Sequence, residues 1–189
     1  VVGHVPPKII FFLDSSGHSG DTGHTFFLYR CTLEGWARLN PDHSVVVYSN
    51  GFKQSITFAE GAPRVQVRPW NPAAWTEGLP ELSLIRAWLG KEEVQKQGFT
   101  FNNLCNAARL VLLYRHGGTY ADLDVLAMRP LDDFDGMTSV VGWEGTVADN
   151  AFTKQEQEMR KVNSAVMINF PARSPYILEC IRRLVDEYR

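Results

Sequence analysis

Between residues 104 and 131 the chain passes from an apolar helical segment through two glycines into a pair of carboxylates, and no other stretch limits its possible folds so tightly. Leu104, Ala107, Ala108, Val111 and Tyr114 recur at helical spacing. They predict a mostly buried helix over Asn103 to His116, with Asn102 or Asn103 as N-cap. Gly117-Gly118 stops it, because glycine enters the left-handed conformation without a Cβ clash, while Arg115 and His116 face the unpaired carbonyls of the last turn. An extended segment over Tyr120 to Leu126 is expected next, with Asp122 and Asp124 on one face and Leu123 turned toward the core.

Two adjacent carboxylates repel unless positive charge lies close to them. All-oxygen ligation suits hard divalent ions, and magnesium or manganese held by one or two carboxylates keeps positions open for water and phosphate oxygens. Asp-x-Asp alone says little, since Asp133 and Asp135 repeat it in what reads as a solvated loop. The context sets Asp122 and Asp124 apart: a buried helix, a Gly-Gly stop, Thr-Tyr, the pair, then Val-Leu-Ala-Met before Arg129-Pro130-Leu131.

Asn106 and Arg109 lie three residues apart on the same helix, in otherwise apolar surroundings. A guanidinium is seldom buried unpaired. Two readings follow: Arg109 bridges a structural carboxylate, or both residues face a ligand.

The remaining chain alternates strands and helices, the pattern of an α/β fold. Lys8 to Leu13 is a continuous apolar run and reads as a buried strand of a parallel sheet. Ligands in open α/β sheets sit beyond the carboxyl ends of strands, so Leu13, Asp14 and Ser15 are candidates to line a nucleotide site. The alternative is an ordinary loop from Asp14 to His24. Further helices are expected over Thr25 to Leu39, weakly over Phe52 to Phe58, over Glu81 to Leu89 and over Ser174 to Arg189. Ser44 to Tyr48, Arg64 to Val67, Ser139 to Trp143 and Ala165 to Asn169 are the expected strands. Trp70 to Trp75 and the long polar segment Glu144 to Lys161 read as loops, the first able either to cover a ligand or to pack on the sheet edge. Leu82, Ile85, Trp88 and Leu89 mark either an acceptor surface or helix packing.

With 189 residues, 44% of them hydrophobic, the chain is long enough for one domain with a substantial core. A formal net charge of −2 and the lack of a basic run exclude a nucleic-acid backbone as an expected partner. No apolar run approaches the roughly 18 residues of a membrane span, so no membrane contact is expected from this stretch itself. The abrupt ends, Val1 and Arg189, read as those of a fragment. Cys31, Cys105 and Cys180 fall in predicted helices without metal spacing and read as buried thiols. The five histidines are scattered, and no Gly-x-Ser-x-Gly elbow or P-loop is present, which removes zinc, the common hydrolases and P-loop enzymes from the expected classes.

Asn106-Ala-Ala-Arg109, the Leu-Tyr-Arg-His-Gly-Gly-Thr-Tyr run and Asp122-Leu-Asp124 through Pro130-Leu131 resemble the sugar-binding region of the α1,4-galactosyltransferase and α1,4-N-acetylglucosaminyltransferase family, which has relatives among yeast α1,6-mannosyltransferases. Pro7-Lys-Ile-Ile-Phe-Phe-Leu, Cys31-Thr-Leu-Glu and Asn40-Pro-Asp-His-Ser-Val-Val-Val resemble the opening of the same proteins. The resemblance implies a GT-A type nucleotide-sugar-binding fold, with a mainly parallel central sheet flanked by helices, here C-terminally incomplete. It implies a retaining, metal-dependent transferase using Mn2+ or Mg2+. The donor would be a nucleotide-sugar such as a UDP-sugar, the acceptor a glycan or glycolipid, and the setting the Golgi lumen with a type II membrane parent. Asp124 would ligate the metal, Asp122 would hold metal water or ribose, and Asn106 and Arg109 would position the sugar; no nucleophile is identifiable. One departure stands out: the family usually has Ser-Asp where this chain has Cys105-Asn106, and asparagine loses the charge while gaining donors. An inactive nucleotide-sugar or glycan binder is therefore the alternative, and an aspartate-nucleophile phosphatase a more distant one.

Overall fold

The computed structural model describes residues 7–14, 24–49, 65–90, 100–143 and 162–187. Ser15, nearly all of the loop from Asp14 to His24, the helix over 52–58 and the loop 144–161 fall outside them. The strands are β1 (Ile9–Asp14), β2 (Ser44–Ser49), β3 (Val65–Pro69), β4 (Gly118–Ala121), β5 (Val140–Trp143) and β6 (Val162–Phe170). The helices are α1 (His24–Leu39), α2 (Pro72–Trp75), α3 (Ser83–Leu89), α4 (Thr100–His116) and α5 (Pro175–Glu187), with 3-10 turns at Pro80–Leu82 and Leu131–Phe134.

One six-stranded sheet runs in the order β3-β2-β1-β4-β6-β5. Its first three pairings are parallel, while β6 runs antiparallel to both β4 and β5. The parallel half therefore ends Asp14, Ser49 and Ala121 along a common carboxyl edge.

Strand periodicity divides the core in two. Phe11, Leu13, Val46, Tyr48 and Tyr120 face α2, α3, α4 and α5, whereas Ile10, Phe12, Val45, Val47 and Ala121 face α1 through Leu33, Trp36 and Ala37. Burial on both sides explains why β1 and β2 read as continuous apolar runs. Leu82, Ile85, Trp88 and Leu89 are all buried, so that helix contributes them to core packing and not to an acceptor surface.

Several local expectations are corrected. The central helix begins at Thr100, so Asn102 and Asn103 lie inside it and neither is its N-cap. Trp70 to Trp75 is not a plain loop, because Pro72–Trp75 forms α2 and buries Trp75 edge-on against Tyr48, with ring centroids 4.7 Å apart. The three cysteines lie on helices, but Cys31 is exposed and the other two are half-buried. Among the described residues no helix is long and apolar enough to cross a membrane.

Gly117 and Gly118 close α4 as expected, with φ of +68° and +94°, and the Gly117 N–H reaches the Leu113 carbonyl at 2.8 Å. Conformation is only part of the requirement. A Cβ at Gly117 would lie 2.6 Å from Ala172 N and 2.7 Å from Phe170 O, and one at Gly118 would lie 2.6 Å from Ile9 O. All three neighbours are backbone atoms and have little room to yield. Gly117→Ala is accordingly expected to destabilise the fold by about 3 kcal/mol, combining left-handed strain with overpacking. Gly35→Ala on α1, where nothing lies within 4 Å, should be neutral or stabilising by up to about 1 kcal/mol. Urea denaturation of the two variants checks both values.

Candidate active site

The carboxylate pair departs from its expected geometry. β4 ends at Ala121, and Asp122 to Val125 form a turn in which the Val125 N–H donates to the Asp122 carbonyl at 3.1 Å. The strand alternation persists only as far as Leu123, which is buried on the α1 side while Asp122 shares the α4 side with Tyr120. Asp124 then swings off the strand into an exposed position. The turn is pinned to the sheet because the Asp122 N–H donates to the Ala165 carbonyl of β6 at 2.8 Å.

Of the two readings of Arg109, the structure shows the ion pair, and the carboxylate it meets is Asp122. Arg109 is only 7% exposed, and its Nη2 lies 3.4 Å from Asp122 Oδ1. Its Nη1 donates to the carbonyl of Ser164 at 2.7 Å and to the Ser164 hydroxyl at 2.9 Å. The guanidinium sits 4.8 Å over the Tyr120 ring, and the Tyr120 hydroxyl donates to the same Oδ1 of Asp122. Arg109 Nε is buried and has no hydrogen-bond partner among the described residues. Arg109 is buried and Asp122 partly so, and removing either would leave the other's charge uncompensated, so the two hold each other in place.

The titration of the cluster follows from this packing. Burial pushes Asp122 above its ordinary value; the Arg109 charge and the Tyr120 hydrogen bond pull it down, and Asp124 pushes it up. Burial drives the Tyr120 phenol well up, opposed by Arg109 and reinforced by Asp122, so it remains a donor.

Asp14 ends β1 at the same edge, 3% exposed, and accepts the Ser49 hydroxyl at 2.5 Å, in keeping with the Asp14–Ser49 register pair. Leu13 is packed into the core on the α4 side. Half-buried Asn106 lies one turn before Arg109 on α4, and its side chain makes no hydrogen bond among the described residues. Three participants were given no role by the sequence reading. Tyr120 stands two residues before Asp122, a spacing that places both on one strand face. Tyr29 precedes Leu33 and Trp36 by four and seven positions, on the inward stripe of α1; its phenol is raised by burial and then by the charges of Asp14, Asp124 and Cys105. Ser164 carries no local signal.

The donor set fits a divalent ion completed by other ligands. Among the described residues no group of three or more His, Cys, Asp or Glu side chains gathers to hold a metal. Asp124 is exposed and makes no hydrogen bond or ion pair there, and Asp122 Oδ1 alone engages Arg109 and Tyr120. Two carboxylates leave most of a six-coordinate shell to water and substrate oxygens, as magnesium-like ions prefer.

Residues 28–141 match the family described as the glycosyltransferase sugar-binding region containing a DXD motif. The lactosylceramide 4-alpha-galactosyltransferase of Rattus norvegicus is 25% identical over 191 residues, covering 96% of this chain and 46% of that protein. The alpha-1,4-N-acetylglucosaminyltransferase of Homo sapiens is 21% identical over 172 residues, covering 85% of this chain and 44% of its own length. The chain thus spans about half the length of these curated relatives. In three dimensions it is similar to the PaToxG glycosyltransferase, with a TM-score of 0.59 at 15% identity over 98% of this chain and 62% of the other. The fold is an α/β arrangement of the GT-A type, with a mixed, mainly parallel sheet.

The electrostatics make a pH prediction. Asp122 is harder to ionise in the folded chain than in the unfolded one. Its contribution to stability is therefore intact below the unfolded carboxylate value and is lost as pH rises through the raised folded value. Arg109→Met removes a charge that lowers that value and should shift the window upward. Carboxyl-carbon NMR titration in metal-free buffer is expected to give a higher Asp122 midpoint in the variant; equal midpoints would show that the arginine charge is not felt there.

Proposed function

Because the chain belongs to the family of glycosyltransferase sugar-binding regions containing a DXD motif, we propose that it serves a metal-dependent, retaining transfer of a hexose or N-acetylhexosamine. The donor is a nucleotide-sugar, of the UDP-sugar class, and the acceptor is a glycan or glycolipid. Curated relatives named as galactosyl- and N-acetylglucosaminyltransferases support the sugar class. The Golgi-lumen setting rests on the family resemblance.

The observation that carries the reading is the division of labour within Asp-x-Asp, with Asp122 locked by Arg109 and Tyr120 and Asp124 left open at the carboxyl edge of the sheet. Asp124 would hold manganese or magnesium directly, and Asp122 would hold metal water or the ribose. Such an ion, when bound, supplies Lewis-acid neutralisation of the departing diphosphate. The protein's part is positioning. Arg109 keeps one carboxylate oxygen oriented in a site of low dielectric, where fixed charges act more strongly than in water. Asn106, one helical turn away, is assigned to the donor sugar, and Asp14 with Leu13 and Ser15 to the nucleotide end.

Two outcomes test this reading. Asp124→Ala is expected to abolish the manganese-dependent part of the stabilisation that a UDP-sugar gives in a thermal-shift titration, while the fold persists, since ligands of the native state act by mass action. The double change Asp133→Ala with Asp135→Ala, both exposed, should leave it unaltered. Retention of the full manganese effect in Asp124→Ala would remove the metal assignment.

The second outcome concerns sugar choice. Asn106→Asp is expected to reorder affinities among UDP-sugars far more than it changes affinity for UDP alone, because only the sugar end would sense the new charge. A uniform change across all ligands in calorimetry would make Asn106 a packing residue. Binding without transfer in the intact protein would favour the inactive binder.

A further inference from the structure

Between Ala121 and the 3-10 turn at Leu131 the chain has no strand or helix, yet α1 grips this segment at two points. Trp36, 4% exposed, donates its Nε1–H to the Val125 carbonyl at 2.8 Å, across 89 residues of sequence. Asn40, 3% exposed, accepts the Leu131 N–H on Oδ1 at 2.7 Å and donates from Nδ2 to the Trp36 carbonyl at 2.8 Å. The asparagine amide therefore couples the two grips into one unit.

These contacts bear unequally on the two carboxylates. Asp122 is located through its side chain, by Arg109 and Tyr120. Asp124 has no such partner among the described residues, so what the protein fixes there is the course of the backbone from which its carboxylate extends. That backbone is anchored at Asp122 N on β6 and, one residue past Asp124, at Val125 O on Trp36. Packing does not require the indole donor: the Trp36 ring meets Phe12 edge-on at 6.0 Å, a contact that a phenyl ring preserves.

We propose that Trp36 and Asn40 are positioning residues that aim Asp124 from behind, across the sheet face opposite Arg109. The inference rests on the reading of Asp124 as the ion-holding carboxylate. Groups that orient metal ligands commonly affect metal affinity far more than their distance from the ion implies.

The test is an electron paramagnetic resonance titration of manganese(II) with UDP on the intact protein. Trp36→Phe is expected to weaken manganese binding roughly tenfold while leaving metal-free UDP affinity and the circular dichroism spectrum unchanged. Leu33→Val, on the same inward stripe of α1 but without a hydrogen bond to the segment, should lower the melting temperature and leave manganese affinity unchanged. Parent-like manganese binding in Trp36→Phe overturns the inference, as does a loss in Leu33→Val that follows its stability. Asn40→Ala, read in the same way, stands in if Trp36→Phe does not fold. Asp124→Ala separates the two levels: unchanged manganese affinity there removes the underlying reading, whereas a loss there with none in Trp36→Phe removes only the positioning role.

Discussion

A guanidinium buried on an apolar helix is the constraint around which the site is arranged. Arg109 cannot lose its charge, and leaving it uncompensated would cost several kcal/mol. The structure meets that demand with three elements at once: the Asp122 carboxylate after β4, the Ser164 carbonyl and hydroxyl on β6, and the Tyr120 ring beneath. Each partner is thereby placed as well as satisfied. The junction of parallel β1 and β4 with antiparallel β6 is closed by a charge network beside the carboxyl edge, where open sheets of this kind form their ligand crevices.

That arrangement makes the two aspartates chemically different. Asp122 sits partly out of water, its ionisation opposed by burial and assisted by a fixed cation, so its place and protonation are set by the protein. Asp124, two residues later, is exposed, and its side chain has no hydrogen-bond or ion-pair partner among the described residues. A site that must receive and release a charged ligand gains from this asymmetry. One carboxylate is preorganised and needs no rearrangement, while the other remains open to exchange. The exposed Asp133 and Asp135 lack both a buried cation and a strand end behind them, which is why the same spacing there reads as surface.

The two faces of the sheet contribute in different ways. On the α4 side, charge complementarity locates a side chain, through contacts of Arg109 that decay steeply with distance and angle. On the α1 side, a hydrogen bond donated by Trp36 and one accepted by Asn40, both with main-chain atoms, locate a stretch of backbone whose side chains alternate between core and solvent. Gly117 and Gly118 matter to both faces, since close approach of Phe170 and Ile9 at that corner sets where β4 begins.

Much of this protein was legible in its sequence because the signals are local. A continuous apolar run identified β1, amphipathic patterning identified the helices α1, α3 and α5, and two glycines marked the end of α4, each resting on geometry that repeats within a few residues. The same holds for Asp122 and Asp124, singled out by the order of elements around them. Tertiary structure decided the rest. Asp124 leaves the expected strand in a turn closed from Val125 N–H to the Asp122 carbonyl, a turn held by the Asp122 amide on Ala165 and the Val125 carbonyl on Trp36, partners 43 and 89 residues from the atoms they hold. Whether Arg109 met a structural carboxylate or faced the site was undecidable locally, for its partner is the motif itself and its seat is Ser164, 55 residues on. Periodicity records which face a residue presents; it carries no record of which distant backbone that face will meet.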